Sequence, residues 1–70
     1  MTTDDIKQTL DEMKMHRDNG ASLVANAADS AIHHLKEALD TKKSFDFQYH
    51  ANQATIYTTE VRNLLKWPPP

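Results

Sequence analysis

The sequence predicts an all-α fold: an antiparallel helical hairpin over about residues 21–41 and 45–66, preceded by an N-terminal helix over about residues 4–18. Three observations predict it. Apolar residues recur in steps of three and four from Ile6 through Leu10, Met13, Val24, Ala27, Ala31, Leu35 and Ala38, and never alternate as a strand would. The only glycine is Gly20 and the three prolines are Pro68, Pro69 and Pro70, so nothing else breaks the interior. Reflecting the chain about the Asp40 to Ser44 turn mostly sets large side chains against small ones. Ala38 meets Phe47, Ala31 meets Ala54, Ala28 meets Tyr57, Val24 meets Val61 and Ala21 meets Leu64, as interdigitated packing requires.

The first helix starts at a cap supplied by Thr2 or Thr3, and its charges run from Asp4, Asp5, Asp11 and Glu12 to Lys14, His16 and Arg17, complementing a helix dipole. Asn19 and Gly20, residues that accept the left-handed conformation ending many helices, predict a break or kink there. The competing reading is one long helix from residue 4 to about 40, because the three-and-four stepping continues in register through Gly20. The second helix ends among Lys36, Lys42 and Lys43. Ser44 reads as the cap of the third, which carries Phe47, Ala51, Ala54, Val61 and Leu65 inward, holds Arg62 and Lys66 at its end and stops at Pro68. Thr55 to Thr59 have strand propensity, but a lone strand has no partner here and the helical pattern prevails.

Reflection about the turn leaves residues 4–18 without an opposing segment. Ile6, Leu10 and Met13 therefore need a cover: either the chain's own hairpin, making a small three-helix bundle, or a second subunit, making a long-helix hairpin that dimerises. Seventy residues form one domain, 1–70, with a Pro-rich tail at 67–70. A core of this size supplies about 3 to 5 kcal/mol of net stability, which favours self-association.

Composition narrows the functional classes. Cysteine is absent, which excludes a disulfide framework, a thiolate nucleophile and a Cys-based zinc site. No apolar run approaches the roughly 20 residues of a membrane span, and the acidic start, Met1 to Asp5, is unlike a signal peptide, so a cytoplasmic protein without a membrane role is expected. Eight Lys and Arg against ten Asp and Glu give a net charge of −2, too balanced to name a polyanionic partner.

Four histidines, His16, His33, His34 and His50, raise the question of a metal. His33 and Glu37 share a helix face and reflection brings His34 or Leu35 level with His50. His33 and His34 point about 100 degrees apart on a helix, however, and boundary histidines account for the pattern, so no metal site or cofactor is assigned. A pH-dependent interface is a further possibility for them. Asp29 and Ser30 beside His33 match a catalytic triad in composition alone; without a Gly-rich loop or a Gly-flanked serine, no catalytic residue is assigned and the chain is expected not to be an enzyme.

Two binding surfaces remain. Gln48, Asn52, Gln53, Thr55, Thr58, Thr59 and Asn63 make an uncharged polar face on the third helix, edged by Tyr49, Ile56, Tyr57 and Trp67. Interfaces are depleted in Lys and Glu and enriched in aromatics, so this face, or the Ile6, Leu10 and Met13 stripe, is expected to dock a protein. The expected function is that of a small regulatory or adaptor protein acting through such contacts, self-associating as a homodimer. The alternative is weak nucleic-acid binding at the hairpin tip through Lys36, Lys42 and Lys43, with Phe45, Phe47 and Tyr49 nearby to stack on bases.

Overall fold

A computed structural model describes the whole chain, Met1–Pro70, as three helices: α1 (Thr3–Asn19), α2 (Ser22–Asp40) and α3 (Ser44–Leu65). The first helix begins on a reciprocal cap. The Thr2 hydroxyl accepts from the Asp5 backbone N–H at 3.2 Å while the Asp5 carboxylate accepts from the Thr2 N–H at 3.2 Å, so two of the otherwise orphaned donors are satisfied. These bonds, with the Thr2 backbone N–H foremost, hold the Asp5 carboxyl below its ordinary range.

The chain breaks between α1 and α2, which settles the choice between a continuous helix and a pause. The expected left-handed residue is absent: Gly20 is extended at φ −95° and ψ 162°. Its small size matters for a different reason. A Cβ there would lie 2.7 Å from the His16 carbonyl oxygen and 2.7 Å from Val24 Cγ1, so glycine is required by the close approach of the two helix ends. Asn19 completes the stop by donating from Nδ2 to the Met15 carbonyl at 3.0 Å.

The turn between α2 and α3 lies where reflection places it, at Thr41–Lys43, but its details differ from expectation. Lys42 and Lys43 fall beyond the end of α2, whose last turn carries no basic residue. Ser44 is the first residue of α3 and Lys43 holds the cap position without a side-chain bond. The far end of α3 closes before Pro68 by a Schellman arrangement. Lys66 adopts the left-handed conformation at φ 54°, Trp67 N–H donates to the Arg62 carbonyl at 2.8 Å, and Lys66 N–H donates to that of Asn63 at 3.3 Å.

Helix α2 is shared by the other two. It buries Val24, Ala27, Ala28, Ala31, Ile32, Leu35 and Ala38, against Ile6, Thr9, Met13 and His16 of α1 and Ala51, Ala54, Thr58 and Val61 of α3. Leu10, Leu39, Phe47 and Tyr57 close its margins. The abundance of alanine lets the helices approach closely, yet it limits the apolar area removed from water. The largest fully buried side chains are only Ile6, Met13, Leu35 and Val61. Helices α1 and α3 touch little, and the molecule is 35 × 23 × 16 Å, its thinnest dimension not far above the roughly 10–12 Å diameter of one helix.

The cover for the first helix is therefore the chain itself, as a small three-helix bundle. Ile6 and Met13 are fully buried and Leu10 packs against the core, so the stripe they form is not available to dock a partner, contrary to one of the two expected surfaces. Thr58 also moves from the expected polar exterior to the core, 3% exposed, with its hydroxyl unpartnered.

Candidate functional sites

Two polar clusters and one exposed face stand out. The first cluster joins the ends of the chain. Arg62 donates to Glu12 through Nε at 2.9 Å and Nη2 at 2.7 Å, a bidentate pair between α3 and α1. The Glu12 carboxylate also lies 3.2 Å from Nε2 of His16 one turn later. His16 is 5% exposed and its ring meets that of Trp67 edge to face, with centroids 4.8 Å apart. The Arg62 hydrogen bonds, opposed by partial burial, hold the Glu12 carboxyl below its ordinary range and raise the Arg62 guanidinium further. Glu12 is thus a structural tie, where its place in the sequence implied solvated charge. Trp67, expected to edge a docking face, is partly spent against His16.

The second cluster lies on the α2–α3 seam. His34 and His50 face each other through Nδ1 atoms 2.9 Å apart, so one ring donates and the other accepts. Tyr57 stacks on His34 with centroids 5.8 Å apart and planes 8° apart, and Tyr49 lies edge-on to both imidazoles at 6.1 and 5.0 Å. His33 is exposed, with its ring 5.0 Å from that of His34 and 6.4 Å from that of His50. Burial, then the charges of His33 and His50, lower the His34 pKa, against a smaller opposing effect of Glu37. Of the two residues that reflection about the turn set level with His50, His34 and Leu35, it is His34 that meets it. Reflection did not bring in a carboxylate, and no group of three His, Asp or Glu is placed to hold an ion. Asp29 likewise does not pair with His33; its carboxylate stands 3.9 Å from Arg17 Nη1.

The exposed face belongs to α3. Phe45, Tyr49, Asn52, Ile56, Thr59 and Asn63 follow one another at intervals of four, three, four, three and four residues, and all six are exposed. That spacing traces one straight stripe along a helix. It lies opposite the inward stripe of Phe47, Ala51, Ala54, Thr58 and Val61, offset from it by two residues, whereas Leu65, expected to continue that inward stripe, is exposed where the helix runs past the end of its partner. Phe45 is 80% exposed, Ile56 58% and Tyr49 51%. No member carries a charge. The expected surface residues Tyr49 and Ile56 lie on this stripe, whereas Tyr57 is half-buried against the core and His34. Phe45 belongs to the stripe rather than only to the hairpin tip.

At the tip, Lys36, Lys42 and Lys43 are exposed as expected. Glu37, Asp40 and Asp46 stand among them in the sequence, so the three positive charges of residues 36–46 are matched by three negative ones.

No helix is long and apolar enough to cross a membrane, and the surface holds no pocket. The chain matches no family model, no curated protein and no solved structure.

Proposed function

We propose that this protein is a small non-enzymatic regulatory or adaptor protein of the cytoplasm that acts by protein–protein contact, and that it self-associates through the outward face of α3. The observation that carries this reading is the uncharged stripe of Phe45, Tyr49, Asn52, Ile56, Thr59 and Asn63, with its three large side chains standing in water. A solvated helix face normally carries Lys and Glu, and a contact face depletes them. The occupant we favour is a second copy of the chain. The stripe has the spacing of a coiled-coil seam, and two such stripes brought together bury apolar surface on both sides without stranding a charge. The alanine-rich core leaves the monomer short of buried apolar area, which pairing would supplement.

Sedimentation equilibrium over a range of concentrations tests this. The expected result is a mass rising from monomer to dimer, reverting to monomer in Ile56→Glu while the helical circular-dichroism signal is retained. A monomer at every concentration would dispose of self-association.

A second reading, weak nucleic-acid binding at the hairpin tip, draws on the 80% exposure of Phe45 beside Lys42 and Lys43. It predicts retention on single-stranded nucleic acid that falls with salt and with Lys42→Glu plus Lys43→Glu. The balanced charge around the tip makes it the weaker of the two.

A further inference from the structure

The outward stripe of α3 is not uniform along its length, and the order of its residues constrains what can face it. Aromatic Phe45 and Tyr49, the amide Asn52, apolar Ile56, the hydroxyl Thr59 and the amide Asn63 follow one another, all exposed. In the heptad frame that this spacing defines, Tyr49, Ile56 and Asn63 take one seam position and Phe45, Asn52 and Thr59 the other. A second α3 can meet the seam in two ways that use all of these residues: parallel and in register, or antiparallel about residue 54.

We propose that two copies of the chain associate with their α3 helices parallel and in register, so that each stripe residue meets its own counterpart. The inference rests on the self-association proposed above and adds to it the orientation of the partner. Polar matching is the first ground. In the parallel pair Asn52 faces the partner's Asn52 and Asn63 the partner's Asn63, and two carboxamides, each with donors and an acceptor, bond to each other as the seam closes. An asparagine at a seam position is a known device for fixing register. Ile56 then meets isoleucine, and Phe45 and Tyr49 meet rings of their own kind. In the antiparallel pair Phe45 faces Asn63, Tyr49 faces Thr59 and Asn52 faces Ile56. Both amides of each chain are then pressed against apolar surface, where a polar group without a partner is penalised.

Charge beside the stripe is the second ground. Asp46, Gln53 and Glu60 border it on one side and Gln48, Thr55 and Arg62 on the other. Antiparallel pairing sets Asp46 of each copy beside Glu60 of the other, so the same repulsion occurs twice. Arg62 offers no relief, because it stands on the opposite border and is already held by Glu12 at 2.7 Å. Parallel pairing sets Gln48 toward Gln53 and Thr55 toward Glu60, and no like charges meet.

The chain has no cysteine, so one introduced thiol reports the orientation. In the parallel pair the two thiols of Thr59→Cys lie across one layer, within the Cα separation of about 4.4–6.8 Å that a disulfide spans. In the antiparallel pair they are ten residues apart along the axis, about 15 Å. Under mild oxidation Thr59→Cys alone should form a linked dimer much faster than Lys7→Cys, an exposed position on α1 that reports random collision. Linkage of Thr59→Cys to Tyr49→Cys in preference to itself would overturn the parallel arrangement and leave self-association standing. Linkage no faster than that of Lys7→Cys would also overturn it; a monomer in sedimentation equilibrium would then remove self-association as well, and a dimer would not. Asn52→Leu gives a readout without a thiol. In the parallel pair a native chain mixed with Asn52→Leu sets an amide against leucine, so the mixed dimer should be weaker than either homodimer. A mixed affinity between those of the two homodimers is the antiparallel outcome and would overturn the proposal.

Discussion

Glu12 and Arg62 stand fifty residues apart in the chain and 2.7 Å apart at their closest atoms, and their bidentate pair is the polar tie between the first and third helices. Arg62 is 41% exposed, so solvent screens the pair and its contribution is put at about 1 kcal/mol, the upper end for exposed ion pairs. Glu12→Gln should lower the melting temperature by about 4–8 °C, since about 1 kcal/mol shifts a domain of this size by that much. The pair also has a pH signature. The Glu12 carboxyl is depressed in the folded chain, so its stabilisation is complete above the ordinary carboxyl value of about 4.3 and disappears as pH falls through the folded value. Melting curves from pH 6 to pH 2 should show this loss in the native protein and a shallower slope in Glu12→Gln.

A second pH dependence belongs to His34 and lies in a different window. Its pKa is lowered by burial first and by His33 and His50 next, so the folded state prefers the neutral ring. Stability is therefore complete above the unfolded value of about 6.5 and declines as pH falls from there through the folded value. Thermal melts between pH 8 and pH 5 should show that decline, and His34→Gln should flatten it. The groups facing this pair are His33 and Glu37 on α2 and Tyr49 and Tyr57 on α3, none of which reverses the sign.

Gly20 presents a case where the sign of a substitution depends on packing. Its backbone is one that alanine adopts readily, and relief of unfolded-state entropy alone would make Gly20→Ala stabilising by about 0.4–1 kcal/mol. The added methyl would instead meet a backbone carbonyl and a valine side chain at 2.7 Å, and the carbonyl is fixed within α1. The net expectation is a loss of about 1–3 kcal/mol, read by urea denaturation. A stabilised Gly20→Ala protein would mean that the helix ends do not approach this closely.

Lys66 sits at φ 54°, where a side chain is strained and glycine is not. Lys66→Gly should stabilise the protein by about 0.5–1 kcal/mol without moving the end of α3. An unchanged or lowered denaturation midpoint would argue against the left-handed stop.

The hairpin was legible because its information is local. The sizes of Ala38 and Phe47, or of Ala28 and Tyr57, complement each other about the Asp40 to Ser44 turn, and the same register set His34 or Leu35 level with His50. The placement of α1 was not legible to the same degree, because nothing local tells Ile6 and Met13 whether their cover is the same chain. Glu12–Arg62 was hidden for the same reason: a carboxylate near a helix start and a guanidinium near a helix end each have a sufficient local explanation in the dipole. Gly20 was read for the conformation glycine permits, when its role is the space it leaves. The outward stripe of α3 was half-visible. Tyr49, Ile56 and the uncharged polar residues were evident, but Phe45 was grouped with the tip and Thr58 with the surface until the helix position of each was known.

The claim that the outward face of α3 is the contact surface is tested most directly by following backbone amide NMR shifts of the protein through serial dilution. Concentration-dependent shifts are predicted to cluster at Phe45, Tyr49, Asn52, Ile56, Thr59 and Asn63 and to be absent from the outer face of α1. Shifts centred on α1 or confined to the Lys42 and Lys43 tip, or a spectrum that does not change with concentration, would contradict it.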